Sequence, residues 1–385
     1  MDVHDHGKAA DPGRSVGPVR EVALPEGLGS AQSITLDSAG RVWFTEKVGR
    51  KLAAYDPETK QFATHSLPAS WTNMGFSNIT SGPGDEIWFT VNRWVEGTEE
   101  PHLLGRFTPA DGYFTKFALS NNAIPQELMV DARGTIWFLA ANKNSLYRID
   151  PRTLALKGYP IPGANGHPRS LAAAENGNIW FVQANTNKVV VFNQERETFR
   201  EYEVLTSFSN PGRLRIDRHG KIWFVQVTAN RIGVFSPESN RFDEVIVPTP
   251  GSAPVALLND DNGNVWFLEY IGNKIGVFNP ESAVFHEYDI PTFGSLPTEM
   301  VLDRKRSILW FTQSATEAKR LGMLAISDAL GTGEKGDPGG AVRGASAEPP
   351  SGQSMTARLA LLASVVVLLA LAGWMIGKSR KRRRS

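Results

Sequence analysis

The chain has 385 residues, with 41 Lys and Arg against 40 Asp and Glu, a formal net charge of +1 and no cysteine. The absence of cysteine excludes disulfides, thiolate-ligated zinc or iron–sulfur sites and a thiol nucleophile. Six basic residues lie in the last eight positions, and without them the net charge falls from +1 to −5. This mildly acidic body argues against a nucleic-acid partner.

The first 17 residues are polar and lack hydrophobic periodicity, which predicts a disordered tail. They also lack the apolar core of a signal peptide. After this tail a Trp-Phe dipeptide recurs at spacings of 45, 49, 43, 43, 43 and 44 residues. The seven copies begin at Trp43, Trp88, Trp137, Trp180, Trp223, Trp266 and Trp310.

Each repeat unit has the same internal order of short segments. An apolar segment is followed by a turn rich in Gly, Asn and Asp, and then by the Trp-Phe strand. A third strand such as Lys274–Phe278 and a fourth such as Phe285–Ile290 complete the unit. Four short strands per 43–49 residues are typical of a propeller blade. We therefore predict an all-β, seven-bladed β-propeller over residues 18–328, with the Trp-Phe pairs packed between blades.

The ends of the repeat region predict ring closure. The seventh unit has a third strand near Leu324–Ser327 but no fourth strand, whereas Val19–Pro25 resembles Phe285–Pro291 at the end of the sixth unit. An N-terminal strand would therefore complete the last blade and remove the open sheet edges. We expect a monomeric, closed propeller.

The C-terminal region predicts a membrane anchor. Residues 329–358 are rich in Gly, Pro and Ser, which is typical of a flexible stalk. Leu359–Gly377 contains 19 residues without a charge, enough for a helix of about 28 Å, and basic residues at 378–385 follow. This pattern predicts one transmembrane helix, a cytoplasmic basic tail and an extracytoplasmic propeller, which would need an export signal upstream of the first residue. A tail-anchored protein with a cytoplasmic propeller is the alternative.

Two positions recur in each blade, about 14 residues apart. We expect both at one end of the central channel, where propellers bind small molecules or protein partners. The start positions are Gln32, Ser77, Gln126, Arg169, Gly212, Val255 and Thr298. The positions after the Trp-Phe strand are Glu46, Val91, Ala140, Gln183, Gln226, Glu269 and Gln313. The candidate ligand-binding residues are Glu46, Arg169, Gln183, Arg213, Gln226, Glu269 and Gln313. The two arginines have two interpretations: they hold an anionic ligand, or they pair with acids at a blade junction.

Asn264–Val277 and Lys221–Val234 resemble the repeat of the virginiamycin B lyases, which inactivate streptogramins, and the resemblance extends over residues 18–328. It implies an elimination that opens a cyclic depsipeptide at its ester bond. It also implies a histidine base in a Pro-His dipeptide at the start of the late blades, and a Mg²⁺ ion near carboxylates. In this chain those dipeptides are Pro211-Gly212, Pro254-Val255 and Pro297-Thr298. The proton abstraction therefore lacks its expected base, and we assign no catalytic residue.

The residues leave the cofactor open. Glu46, Glu269 and Glu299 are carboxylates near the predicted channel end, and they could hold Mg²⁺ or another divalent ion or only form a polar lining. His167 precedes Pro168 and is the one histidine that we would test as a base.

Three functions remain. The first is a membrane-anchored ligand- or partner-binding propeller that lacks the family's catalytic histidines. The second is a metal-dependent carbon–oxygen lyase or lactone-acting enzyme that uses the channel mouth. The third is a structural protein-interaction propeller, with the insertion Arg93–His102 as its contact site.

Overall fold

The computed structural model describes residues 15–46, 50–71, 74–93, 102–119, 123–150, 153 and 155–330. The predicted transmembrane helix, the basic tail, almost all of the stalk and most of the insertion lie outside these residues. Within them, no helix has both the length and the apolar character needed to cross a bilayer.

Nearly all of the described chain consists of short strands and tight turns. The strands are β1 Ser15–Val16, β2 Val19–Ala23, β3 Ala31–Leu36, β4 Val42–Glu46, β5 Lys51–Asp56, β6 Gln61–Ser66, β7 Met74–Ser81, β8 Ile87–Arg93, β9 Leu103–Thr108, β10 Tyr113–Ala118, β11 Pro125–Val130, β12 Ile136–Ala140, β13 Ser145–Ile149, β14 Leu156–Pro160, β15 Pro168–Ala173, β16 Ile179–Gln183, β17 Lys188–Asn193, β18 Thr198–Glu203, β19 Pro211–Ile216, β20 Ile222–Gln226, β21 Arg231–Ser236, β22 Arg241–Ile246, β23 Pro254–Asn259, β24 Val265–Glu269, β25 Lys274–Asn279, β26 Val284–Asp289, β27 Pro297–Asp303, β28 Ile308–Gln313 and β29 Arg320–Ala325. Two 3₁₀ turns (Pro83–Asp85 and Ala141–Lys143) and one short helix, α1 (Ile326–Leu330), complete the set.

The strands form seven antiparallel sheets, which confirms the predicted propeller. Blades 1 to 6 each use four consecutive strands, beginning with β3–β6. Blade 7 has the order β1-β2-β29-β28-β27, so β2 pairs with β29 and closes the ring. The innermost strands β3, β7, β11, β15, β19, β23 and β27 contact one another in a complete circle. We call the end where these inner strands begin the loop face, and the opposite end the turn face.

Both ends of the propeller differ from the prediction in detail. The third strand of blade 7 is Arg320–Ala325, earlier than the predicted Leu324–Ser327. After it the chain turns into α1, because Ile326 and Ala329 bury their side chains in the core between blades 6 and 7. At the other end, Gly17 has φ 55°, and this turn lets Ser15–Val16 pair with Val19–Arg20 inside the predicted tail.

The seven Trp-Phe tryptophans form the seams between blades, as predicted. Each is at most 5% exposed and packs on aromatic or aliphatic residues of the next blade. In four blades the indole N–H donates to an Asp six residues earlier, with distances of 2.8–2.9 Å. These aspartates are Asp37, Asp131, Asp217 and Asp260. In blade 2 the acceptor is Glu86.

Candidate ligand site at the loop face of the channel

A bulge at the start of every inner strand changes which side chains face the channel. In all seven blades the pairing of the inner strand with its neighbour shifts register within the first few residues. An extra residue in one strand re-aims the side chains around it. The channel cavity, of about 280 Å³, is therefore lined by the residue after the predicted start position in five blades. These residues are Asn78, Glu127, Arg213, Ala256 and Glu299.

An ion-pair triad crosses this channel. The Arg213 guanidinium donates two hydrogen bonds to Glu127, at 3.0 and 2.9 Å, and its other nitrogen contacts Glu299 at 2.5 Å. Glu299 also accepts a hydrogen bond of 2.6 Å from the hydroxyl of Ser33. Arg213 is 15% exposed, and its partners are 19% and 18% exposed. Arg213 therefore pairs with acids, but across the channel and not at a blade junction as the second interpretation has it.

The triad keeps Arg213 charged. Burial acts to lower its pKa, but the carboxylates of Glu127 and Glu299 outweigh burial and hold the pKa above its usual value. Arg215 lies on the same strand without an ion pair in the described structure, and burial together with Arg213 lowers its pKa to about 10. Sequence reasoning missed Glu127, although the two separations of 86 residues in the triad equal two repeats of 43.

The predicted residues after the Trp-Phe strand are buried, not solvated. Their exposed fractions are 0–2% for Glu46, Gln183, Gln226, Glu269 and Gln313. Three of them have a clear partner: Gly29 N donates to Glu46, Thr186 donates to Gln183, and Gln313 donates to Glu21. A ligand would reach these side chains only if the covering loops moved, and their binding role stays a prediction.

Asparagine side chains hold the covering loops in place. The Asn273 amide donates to the carbonyls of Ile290 and Thr292 and accepts from the backbone and hydroxyl of Ser295, at 2.8–3.1 Å. Asn187 and Asn230 repeat all four bonds in blades 4 and 5. Each loop therefore folds back over the end of its own blade.

Glutamates on the outer strands join these loops to the next blade. The Glu287 carboxylate accepts from the backbone and hydroxyl of Thr249, at 3.0 and 2.7 Å. Glu244 and Glu21 bind Thr206 and Thr292 in the same way. These contacts connect blade 4 to 5, 5 to 6 and 6 to 7.

Gln226 and Glu269 are the two of these five residues whose side chains have no hydrogen-bond partner in the described structure. Glu269 is 0% exposed, and neither carboxyl oxygen makes a hydrogen bond of normal geometry in the described structure. Burial and the neighbouring Glu287 carboxylate raise its pKa to about 8. At neutral pH Glu269 is therefore mainly protonated, and it can act as a proton donor.

Arg169 contrasts with Arg213. It is half-buried at the start of β15, and its guanidinium makes no hydrogen bond or ion pair with the residues that the structure describes. Burial lowers its pKa against the opposing effect of Glu127. Burial and Arg169 lower the pKa of His167, so this histidine is neutral at pH 7. The structure thus brings a cation and a neutral imidazole together at the loop face.

Exposed phenylalanines lie in the loops of the same face. Phe208 is 85% exposed and Phe293 is 97% exposed. Phe208 has φ 53°, and the matching positions in the next two loops are Gly251 and Gly294, with φ 65° and 62°. A bulky residue in this left-handed conformation is strained and is retained where the surroundings fix it. The Phe208 carbonyl is fixed by Thr228, whose hydroxyl donates to it at 2.6 Å.

The predicted carboxylates do not converge into a metal site. Glu46 lies in blade 1 and Glu269 in blade 6, each enclosed in its own blade, while Glu299 is held by Arg213 and Ser33. Among the described residues no three His, Asp or Glu side chains come together as ligands for an ion. These carboxylates therefore do not fit the Mg²⁺ ion that the resemblance implies.

Comparison with known proteins identifies the family of this propeller. The family model of the Virginiamycin B lyase family matches residues 17–322. The chain belongs to the virginiamycin B lyase family. A search of curated protein sequences finds no match.

Solved structures of virginiamycin B lyase share the fold. The enzyme from Staphylococcus aureus has a TM-score of 0.70 and 23% identity, covering 80% of this chain and 99% of the enzyme. The same values hold for its catalytically inactive histidine-to-alanine variant with quinupristin. A streptogramin B lyase structure has a TM-score of 0.69 and 21% identity, with coverage of 80% and 99%. At these identities the likeness shows the propeller fold alone.

Proposed function

We propose that this member of the virginiamycin B lyase family is a membrane-anchored binding protein that holds an anionic ligand at the loop face of its channel. The observation that carries the proposal is the guanidinium of Arg169, which makes no hydrogen bond or ion pair with the residues that the structure describes. A half-buried arginine without a carboxylate partner can bind a carboxylate or phosphate in two-pronged geometry. The exposed rings of Phe208 and Phe293 favour a ligand that also has an apolar part.

The absence of histidine at the start positions supports binding without the elimination reaction. A histidine-to-alanine variant of the S. aureus lyase is described as catalytically inactive. In this chain the late start positions are Gly212, Val255 and Thr298. His167, two residues before Arg169, has its pKa lowered by burial and by Arg169, which weakens it as a base.

Residues 359–377 support the membrane part of the proposal, because this apolar run precedes a basic tail. We propose that the propeller is extracytoplasmic. Protease treatment of intact cells and of inverted vesicles tests this. We expect the propeller to be cleaved in intact cells and protected in the vesicles. Cleavage only in the vesicles would place the propeller in the cytoplasm and contradict the proposal.

Replacing Arg169 with glutamine is expected to weaken binding of anionic ligands by about tenfold or more, because a charge-assisted hydrogen bond is lost. The measurement is a thermal-shift screen of the full chain in detergent against sugar acids, lactones and cyclic depsipeptides, with each acid beside its neutral amide. Arg241→Gln, on an exposed outer strand, is the matched control. Equal stabilisation of wild type and Arg169→Gln by every hit would contradict the proposal.

A second candidate function is carbon–oxygen lyase or lactone-opening activity that uses Glu269. Its support is the buried carboxyl of this residue, whose raised pKa of about 8 suits a general acid. Incubation of the full chain with quinupristin, with and without Mg²⁺, followed by mass spectrometry tests it. If the wild type opens the quinupristin ring and Glu269→Gln does not, the lyase function is favoured over the binding function.

A further inference from the structure

Blade 4 lacks the aspartate that caps the tryptophan in blades 1, 3, 5 and 6. Ala174 stands six residues before Trp180, where Asp37, Asp131, Asp217 and Asp260 stand before the tryptophans of blades 1, 3, 5 and 6. Trp180 is 5% exposed, and its indole N–H meets no acceptor among the described residues. Trp180 lines a cavity, so this donor takes its acceptor from solvent or from a ligand.

Blade 6 shows what the missing side chain does. One oxygen of Asp260 accepts from the indole of Trp266 and from the amide of Asn264, both at 2.8 Å. The Asn264 amide is oriented by Asn279, which donates to its oxygen at 2.9 Å. Two N–H donors thus converge on one carboxylate oxygen.

Blade 4 keeps this arrangement without the carboxylate. Its turn has the same backbone bonds, with Ala174 N donating to Asn178 O and Gly177 N to Ala174 O, both at 2.9 Å. Asn178 is oriented by Asn193, which donates to its oxygen at 3.2 Å. The amide N–H of Asn178 and the indole N–H of Trp180 are therefore aimed as in blade 6, and an alanine stands where the acceptor would be.

The donors open into a cavity of about 680 Å³ at the turn face, between blades 4 and 5. Arg200 and Arg218 line it and make no ion pair within the described structure. Arg200 lies over the ring of Tyr202 at 4.9 Å, and Arg218 donates to the carbonyl of Asp261 at 3.0 Å. A cavity of this size is in the range that holds small organic ligands.

Acidic side chains also line the cavity and limit its affinity. The charged lining residues are Glu175, Arg196, Arg200, Asp217, Arg218 and Glu238. Three cations thus balance three carboxylates, and the carboxylate of Asp217 already accepts a hydrogen bond from the indole N–H of Trp223. We expect ligand affinity of about a millimolar, because the attraction comes from directed hydrogen bonds without a net positive field.

We propose that this cavity is a second ligand site, which binds a small dicarboxylate. One carboxylate accepts the hydrogen bonds of Trp180 and Asn178, in place of the side chain that Ala174 lacks. The other carboxylate lies toward Arg200 and Arg218. The site is independent of Arg169, which lies at the opposite face, so the failure of one proposal leaves the other intact.

The test is a titration of the full chain in detergent, labelled with ¹⁵N-tryptophan, with sodium succinate against sodium chloride of equal ionic strength. The Trp180 indole signal is assigned with Trp180→Phe. We expect a saturable downfield shift of this signal with succinate and none with chloride. The signals of Trp137 and Trp266 serve as internal controls, because their N–H groups are already bound by aspartates outside this cavity.

Three variants test whether succinate binds in this cavity or moves the Trp180 signal indirectly. Ala174→Asp is expected to move the Trp180 signal downfield without ligand and to abolish the response to succinate. Asn178→Ala is expected to weaken binding by about tenfold. Arg200→Gln leaves the core untouched and is expected to reduce affinity for succinate while sparing that for acetate. An unmoved Trp180 signal, an equal shift with chloride, or an unchanged response in Ala174→Asp would overturn the proposal.

Discussion

Replacing Arg213 with methionine is expected to destabilise the propeller by about 3–5 kcal/mol, because removal of one partner leaves the other charges buried and unpaired. The variant would place the carboxylates of Glu127 and Glu299 in the same narrow channel without a cation between them. The measurement is urea unfolding of the full chain at pH 7. The loss should shrink as the pH falls, since protonation removes the two unpaired charges.

The control for this prediction separates charge from packing. Adding Glu127→Gln and Glu299→Gln to the Arg213 variant removes the unpaired charges and should recover most of the lost stability. If the triple variant were as unstable as the single one, the triad would stabilise the ring through packing and not through its ion pairs.

Replacing Glu269 with glutamine is expected to make the propeller more stable at pH 8 than the wild type, by about 2–5 kcal/mol. The folded pKa of Glu269, about 8, lies above the ordinary value of 4.5. Between these values the folded chain holds a proton that the unfolded chain releases, so wild-type stability falls as the pH rises. The difference between variant and wild type should widen by about 1.4 kcal/mol per pH unit across this window.

The neighbours of Glu269 define the control. Its carboxyl is affected by Glu287, Ser252 and Lys274. In blade 7 the matching pair is Gln313 and Glu21, joined by a hydrogen bond of 2.8 Å from the Gln313 amide. Gln313→Glu should therefore create a second pH-dependent loss in that blade. Parallel pH profiles for the wild type and Glu269→Gln would show that Glu269 is not the titrating group.

The number of blades was predictable from the sequence because every blade must meet the same packing requirement. Each blade needs one large aromatic at the seam and tight turns at fixed positions, so Trp43 and its six counterparts mark the blades directly. The closing strand was predictable because Val19–Pro25 has the pattern that the last unit lacks. The short helix α1 was not, since its burial depends on the packing of Ile326 between two blades.

The candidate site was predicted less well, for two local reasons. The bulge at the start of each inner strand shifts the side-chain alternation by one residue, so Glu127 and Arg213 face the channel where the predicted positions Gln126 and Gly212 do not. In addition, the Asn273-type bonds fold the loops over the strand ends, which buries Glu269 and Gln313. The bulges and the asparagine bonds do not change the spacing of hydrophobic residues, so that spacing could not predict them.

The pairing of β2 with β29 also governs the order of events during synthesis. Val19 is paired with Leu324, so about 300 residues must be made before the last blade can form. At about 5–20 residues per second, the first strand waits on the order of 15–60 s for its partner. Until then the nascent chain has exposed sheet edges at both ends of an open arc, and these edges are sites for chaperone binding or for mispairing with another chain.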